Sequence, residues 1–210
     1  MTYTVKEIFY SLQGEGARTG RPAVFCRFAG CNLWTGREED RESAVCSFCD
    51  TDFVGVAADG GRFDSARDLS RAVAARWPAA GGGAPYVVCT GGEPLLQLDA
   101  AAIEELHRAD FEVAVETNGT QPVPPSLDWV CVSPKAQAPL AVRGGDELKL
   151  VFPQPGVDPG RFTSLAFDHF FLQPMDGPDV AAHTRDAVAY CLAHPVWRLS
   201  LQTHKLLGVR

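Results

Sequence analysis

The sequence predicts an α/β protein, an incomplete parallel barrel of the TIM type with about six strands. Three observations predict it. Short apolar runs alternate with amphipathic stretches, the order expected of parallel strands joined by crossover helices. The chain has 210 residues, too few for eight strand–helix units, which usually take about 250. Residues able to carry chemistry gather just after the strands, at the carboxyl edge where parallel barrels place their sites. An open doubly wound sheet is the alternative. Against it, Gly91 and Gly92 lack the dinucleotide-fingerprint spacing, and no Gly-Lys-Ser/Thr marks a phosphate loop.

Taken in order, the apolar runs predict strands over residues 23–29, 86–90, 112–117, 129–133, 147–152 and 170–173. Helical spacing occupies 65–77, 98–108 and 180–193. The connection before Phe170 is Pro-rich and short, room for one helical turn near 159–165, and a last extended run covers 197–202. Residues 81–83 read as loop. In the first run, alternation puts Phe25, Arg27 and Ala29 on one face and Val24, Cys26 and Phe28 on the other. A guanidinium facing a barrel interior needs an anionic partner, either a ligand or a barrel carboxylate such as Glu116. Glu116, Glu147 and Lys149 alternate with apolar neighbours and are expected to form an interior ion-paired network. Residues 1–210 are expected to be one domain, with 32–45 as an inserted, charged surface loop.

Composition narrows the function. Apolar residues make up 46% and charged residues 21%, which is globular, and no apolar run approaches the roughly 20 residues of a membrane span. The N-terminal segment carries Lys6 and Glu7 and does not read as a secretion signal, so the expected compartment is the cytoplasm. Nineteen basic against twenty-six acidic residues give a net charge of −7, opposite to a nucleic-acid footprint. A small-molecule substrate, with neither nucleic acid nor membrane as partner, is the expectation. Seven cysteines without a signal argue for thiols rather than disulfides. Of these, Cys26, Cys89, Cys131 and Cys191 are expected in the core.

The other three carry the strongest signal. Fourteen residues separate Cys31 from Cys46, and two separate Cys46 from Cys49. Thiolates grouped this way bind a soft metal or a cluster. A structural zinc wants a fourth ligand, which the pattern does not supply; three ligands on a four-iron cubane leave one iron open to a cofactor. Gly91-Gly92-Glu93-Pro94 reads by itself as a turn into a helix with proline at its first position. Glycines there would equally let a cofactor approach the backbone closely.

Phe48 beside the last cysteine, with Thr90-Gly91-Gly92-Glu93-Pro94, resembles the radical S-adenosylmethionine superfamily, although the usual spacing between the first two cysteines is three. A narrower resemblance rests on Ser11-Leu12-Gln13-Gly14-Glu15-Gly16, Ser133-Pro134-Lys135, Gln173-Pro174-Met175-Asp176 and Gln202-Thr203-His204-Lys205. That set is similar to the 7-carboxy-7-deazaguanine synthases of 7-deazapurine and queuosine biosynthesis. The resemblance implies a partial barrel, a 4Fe-4S cluster on Cys31, Cys46 and Cys49, S-adenosylmethionine and Mg2+. It implies cofactor contacts at Phe48, Cys49, Asp50, Gly91, Gly92, Glu93, Ser133, Pro134, Lys135, Gln173, Pro174, Met175 and Asp176. Substrate contacts would fall on Leu12, Gln13, Gly14, Glu15, Arg27, Thr90, His204 and Arg210, the last through its terminal carboxylate, and the metal on Thr51. The implied reaction converts 6-carboxy-5,6,7,8-tetrahydropterin to 7-carboxy-7-deazaguanine with loss of ammonia. An electron donor such as flavodoxin or ferredoxin and a homodimer complete the expectation. The rivals are another radical enzyme, such as a glycyl-radical activase, and a zinc-binding interaction module.

Overall fold

The six apolar runs are neighbouring strands of one sheet. A computed structural model describes residues 2–78 and 82–210; of the loop expected at 81–83, Gly81 lies outside the described residues. The strands are β1 (Tyr3–Leu12), β2 (Pro22–Phe28), β3 (Gly61–Phe63), β4 (Tyr86–Gly91), β5 (Glu112–Thr117), β6 (Trp129–Val132), β7 (Gly144–Phe152), β8 (Ala166–Pro174) and β9 (Trp197–Leu199). Among the described residues they form a nine-stranded sheet in the order β3-β1-β2-β4-β5-β6-β7-β8-β9. From β2 to β9 every pairing is parallel, while β1 runs antiparallel to both its neighbours. β3 and β9 are the edges and do not pair with each other, so the barrel is incomplete.

The helices are α1 (Ala66–Ala74), α2 (Ala100–Arg108), α3 (Val180–Ala193) and the short α4 (Thr203–Leu207). Ser65 and Asp99 cap the first two by accepting from the backbone N–H of Asp68 at 3.2 Å and Ala102 at 2.9 Å. The turn expected before Phe170 is a 3-10 helix over Pro159–Phe162. Alternation along the strands separates two faces. Val24, Cys26, Phe28, Val87, Cys89, Val113 and Val115 pack outward against Leu69, Val73, Ile103 and Leu106 of α1 and α2. Leu148, Leu150, Phe170 and Leu172 pack with Ala187 of α3. Phe9, Ala23, Phe25, Tyr86, Val88 and Ala114 face the interior. Cys26, Cys89 and Cys131 are buried as expected, but Cys191 is only partly covered, because α3 buries little beyond Ala187.

Two strands escaped the sequence reading. β3 is three residues long. β1 is ten residues long, but its alternation breaks: Val5 pairs with Phe28 and Glu7 with Arg27, so Lys6 is an extra residue, a bulge. Val5 and Ile8 both pack outward. Glu7 and Phe9 therefore face the interior with Arg27 and Phe25. The bulge is tied down, since the Lys6 carbonyl accepts from Ala57 N–H at 2.8 Å and its ammonium reaches Asp52 and the Val54 carbonyl at 2.8 Å each.

The inserted residues 32–45 are only partly the surface excursion that their charge suggested. Glu38–Ser43 form an exposed 3-10 helix, whereas Trp34 is buried and packs edge-on against Phe53 at 5.6 Å between ring centres.

Candidate functional site

A cavity of about 360 Å³ opens at the carboxyl ends of the parallel strands. One wall carries sulfur. Cys31 follows β2, and Cys46 and Cys49 follow the insert; all three line the cavity with Phe48, Asp50 and Thr51. Burial pushes the Cys31 thiol up. Pairing with Cys49 and burial push the Cys46 thiol up, while the same pairing brings Cys49 down to about 6. Lys135 adds positive charge nearby. Among the described residues, no group of three His, Cys, Asp or Glu side chains is arranged to hold a single metal ion. A cubane takes its thiolates on separate irons and needs no such convergence. The donor set, three thiols on one wall without a fourth, fits a cluster.

The glycine loop is stitched to that wall. A Cβ on Gly92 would lie 2.2 Å from the Gly30 carbonyl oxygen and 2.7 Å from Cys31 Cβ, and Glu93 N–H donates to the same carbonyl at 2.9 Å. Glycine is required here to let the loop reach Cys31. Glu93 itself is fully buried and does not line the cavity. Its carboxylate accepts from Leu95 N–H at 3.0 Å, Thr117 Oγ1 at 2.7 Å and Asn118 N–H at 2.8 Å, although burial still pushes its carboxyl up. Pro134 and Met175 also stand behind the surface: the Pro134 carbonyl accepts from Gln154 Nε2 at 3.1 Å, and the Met175 carbonyl bonds His183 Nδ1 at 2.9 Å. Gly91, Gly92, Ser133, Lys135, Gln173, Pro174 and Asp176 do line the cavity. Lys135 folds back to donate to the carbonyl and hydroxyl of Ser133, both at 2.7 Å.

The facing wall is a charge network. Glu15 accepts from Lys149 and, at 3.1 Å, from Gln202 Nε2. Burial alone would raise Glu15, but the Lys149 charge and these bonds outweigh it and hold its carboxyl below the usual range. Lys149 also lies 3.6 Å from Glu116, and those carboxylates raise its ammonium well above the usual range despite burial. Glu116 accepts from Gln13 Nε2 at 2.9 Å, and Gln13 Oε1 accepts from Glu15 N–H at 3.0 Å. Glu147, behind this wall, accepts from the Ala17 N–H at 2.8 Å. Gly14 has no room for a side chain, since a Cβ there would lie 2.2 Å from His204 Nδ1. Thr203 donates its N–H at 3.0 Å and its hydroxyl at 2.9 Å to the Gly14 carbonyl.

These contacts bring the C-terminal segment onto the N-terminal one. No family model matches the chain. Curated relatives do: it is 63% identical to a 7-carboxy-7-deazaguanine synthase of Bordetella pertussis, with 100% of both chains covered. It is 62% identical, again over 100% of both, to one of Caulobacter vibrioides. The chain belongs to the 7-carboxy-7-deazaguanine synthase family. A crystal structure of QueE from Escherichia coli matches with a TM-score of 0.69 at 29% identity, over 96% of this chain and 94% of that one.

In this member of the 7-carboxy-7-deazaguanine synthase family, Leu12, Gln13, Gly14, Glu15, Arg27, Thr90, His204 and Arg210 all line the cavity, as does Thr51. Arg27 Nε donates to Glu7 at 2.7 Å, so its partner is neither a ligand alone nor Glu116. Arg210 is held by its side chain, paired with Glu7 and, at 2.7 Å, with Asp59, and stacked 4.4 Å above the Phe9 ring. Its carbonyl oxygen accepts from Ser11 Oγ at 2.6 Å. Glu7, Gln202 and Lys205 line the cavity and were given no role from sequence. Lys205 bridges Asp50 at 2.6 Å and Asp176 at 2.7 Å; as burial alone would raise the Asp50 carboxyl, it is this ammonium and Gln202 that hold it down. The signal for Glu7 was a carboxylate followed by the apolar Ile8 and Phe9 in a strand, disguised by the bulge before it.

Proposed function

We propose that the chain is a radical S-adenosylmethionine lyase that converts 6-carboxy-5,6,7,8-tetrahydropterin to 7-carboxy-7-deazaguanine with release of ammonia. The observation that carries this reading is one cavity with thiols on one side and Gln13, Glu15, Arg27 and His204 on the other, in a chain related along its whole length to curated synthases of that name. Cys31, Cys46 and Cys49 would hold the 4Fe-4S cluster. Phe48, Asp50, Gly91, Gly92, Ser133, Lys135, Gln173, Pro174 and Asp176 would hold S-adenosylmethionine, with Glu93, Pro134 and Met175 fixing the loops behind them. When bound, the cluster and cofactor supply one-electron sulfonium cleavage and abstraction of a substrate hydrogen atom.

The chain's own residues bind and orient. Glu15, kept ionised by Lys149, accepts N–H groups of the pterin's aminopyrimidinone edge. Gln13 and the backbone at Leu12 and Gly14 read the same edge. Arg27 is oriented through Nε by Glu7, which leaves the rest of its planar fork for an oxygen acceptor of the substrate. His204 and Thr90 add polar contacts, and residues 203–210 cover the open side against water. Thr51 would give Mg2+ its protein ligand, the remaining positions going to substrate carboxylate and water. An electron donor such as flavodoxin or ferredoxin and a cytoplasmic setting belong to the same reading, as does action as a single domain. A homodimer is supported by Val188, Leu192 and Val196, apolar and exposed on and just beyond α3, with Leu192 80% exposed. No helix among the described residues is long and apolar enough to cross a membrane.

Anaerobic reconstitution followed by incubation with the carboxypterin, S-adenosylmethionine and dithionite tests the reading. A brown protein that bleaches on reduction and yields a product with the mass of 7-carboxy-7-deazaguanine is expected. A loaded cluster that cleaves the cofactor without that product would return the chain to another radical reaction.

A further inference from the structure

Among the described residues, the 14-residue insert contacts both thiol-bearing segments. At its start, Leu33 N–H points to Cys31 Sγ at 3.4 Å. Beyond it, Arg41 Nη1 donates to two carbonyls of the next loop, Ser47 at 2.8 Å and Cys49 at 3.0 Å. One guanidinium nitrogen therefore ties together the backbone on both sides of Phe48. The guanidinium is itself fixed on two other sides. Its central carbon lies over the Trp34 ring, 4.1 Å from the ring centre, and Nε and Nη2 form a two-pronged pair with Glu38 at 2.7 and 2.6 Å. Trp34 is anchored in turn by its Nε1–H to the Arg37 carbonyl at 3.1 Å and by Phe53.

We propose that the insert is a brace for the cluster and that Arg41 is its positioning residue, holding the Ser47–Cys49 turn in the shape that presents Cys46 and Cys49 to iron. This rests on the cluster reading above. Groups that hydrogen-bond around ligating residues typically change metal affinity by roughly 10–100-fold when removed. Arginine suits the task because a planar fork can stack, pair and donate at once; a lysine ammonium is a point charge that cannot.

The test uses the anaerobically reconstituted full chain and its variants R41A, R41K and E38Q, challenged with excess iron chelator. Iron content and the rate of loss of the brown chromophore are followed. R41A should lose its cluster about tenfold faster or more, R41K should fall between, and E38Q, which keeps both carbonyl contacts, should stay within about twofold of the unmodified protein. Thermal unfolding of the apoproteins should be unchanged, since Arg41 lies outside the barrel. An R41A cluster as durable as the unmodified one would overturn the brace, as would E38Q matching R41A or an R41A apoprotein that unfolds early. An unmodified chain that takes up no iron would instead overturn the cluster reading itself.

Discussion

On the wall built by the N-terminal segment, β7 and the C-terminal segment, side chains hold one another. Lys149 sits between Glu15 and Glu116, Gln13 links the Glu116 carboxylate to the Glu15 backbone N–H, and Gln202 reaches from the far end of the chain. On the facing wall the backbone is what is held. Glu93 accepts the N–H of Leu95 in its own loop and that of Asn118 in the next, Gly92 lies against Gly30, and Arg41 grips two carbonyls. The first arrangement can exchange partners when a polar ligand enters, because each member is a donor or acceptor the ligand can replace. The second cannot exchange without moving the chain. A rigid thiol side and an adaptable polar side suit a cofactor that must stay and a substrate that must leave.

Substitutions in the sulfur wall should have the most severe outcome. Cys46→Ala or Cys49→Ala should abolish a stable cluster, and Cys31→Ala likewise, whereas Cys191→Ala should leave iron content intact; colorimetric iron analysis decides. On the other wall, Lys149→Met leaves two partly buried carboxylates without their buried cation. Removing one partner of a buried pair costs about 3–5 kcal/mol, so the apoprotein's urea midpoint should drop sharply. An unchanged midpoint would mean that the network is not coupled to the fold.

Arg27→Ala should weaken pterin binding by roughly 10–100-fold, as expected for a lost charge-assisted contact of ~1.5–3 kcal/mol, with cluster content unaltered. Calorimetry with the loaded protein reads both the loss and its absence. The C-terminal segment gives a smaller effect. Exposed ion pairs contribute about 0–1 kcal/mol, so Arg210→Ala should raise the Michaelis constant no more than about fivefold, and deleting residues 208–210 should raise it further. If neither changes it, the Glu7 and Asp59 pairs only dress the surface. The smallest effect is in acid. The Glu15 carboxyl ordinarily titrates near 4.5 and lies lower in the fold. Its contribution is complete above that value and lost as pH falls through the folded one. Glu15→Gln should therefore flatten the decline of Tm below about pH 4.5.

The parallel part of the sheet was legible because most of its strands are apolar runs, or apolar residues alternating with Glu116, Glu147 and Lys149, between turn signals, and α3 runs over the very residues its spacing marked. β1 was not, because one bulged residue puts Val5 and Ile8 on the same face and destroys the alternation that identifies a strand. In the site, the cysteines, glycines and motif residues stood out by spacing. Glu93, Pro134 and Met175 belong to the same motifs yet face away from the cavity, which spacing alone cannot tell. Lys205 and Gln202 work by reaching elements distant in sequence, Asp50 and Asp176 among them, and such partners are set by the closed sheet order rather than by neighbours.

The bulge at Lys6 has a consequence for insertions and deletions. From Glu7 onward, β1 has the same facing it would have if Lys6 were absent and the ladder ran regularly from Val5. A chain lacking Lys6 would thus keep Glu7 beside Arg27 and Phe9 beside Phe25, and would lose only the ties to Asp52, Val54 and Ala57. The extra residue is separable from the strand that contains it. Shortening the chain by one residue there loosens the segment after Cys49 without freeing it, since Gly30 N–H still donates to the Phe53 carbonyl at 3.2 Å and Ile8 N–H to the Asp59 carbonyl at 2.9 Å; no substitution at Lys6 reproduces this, because the carbonyl would remain.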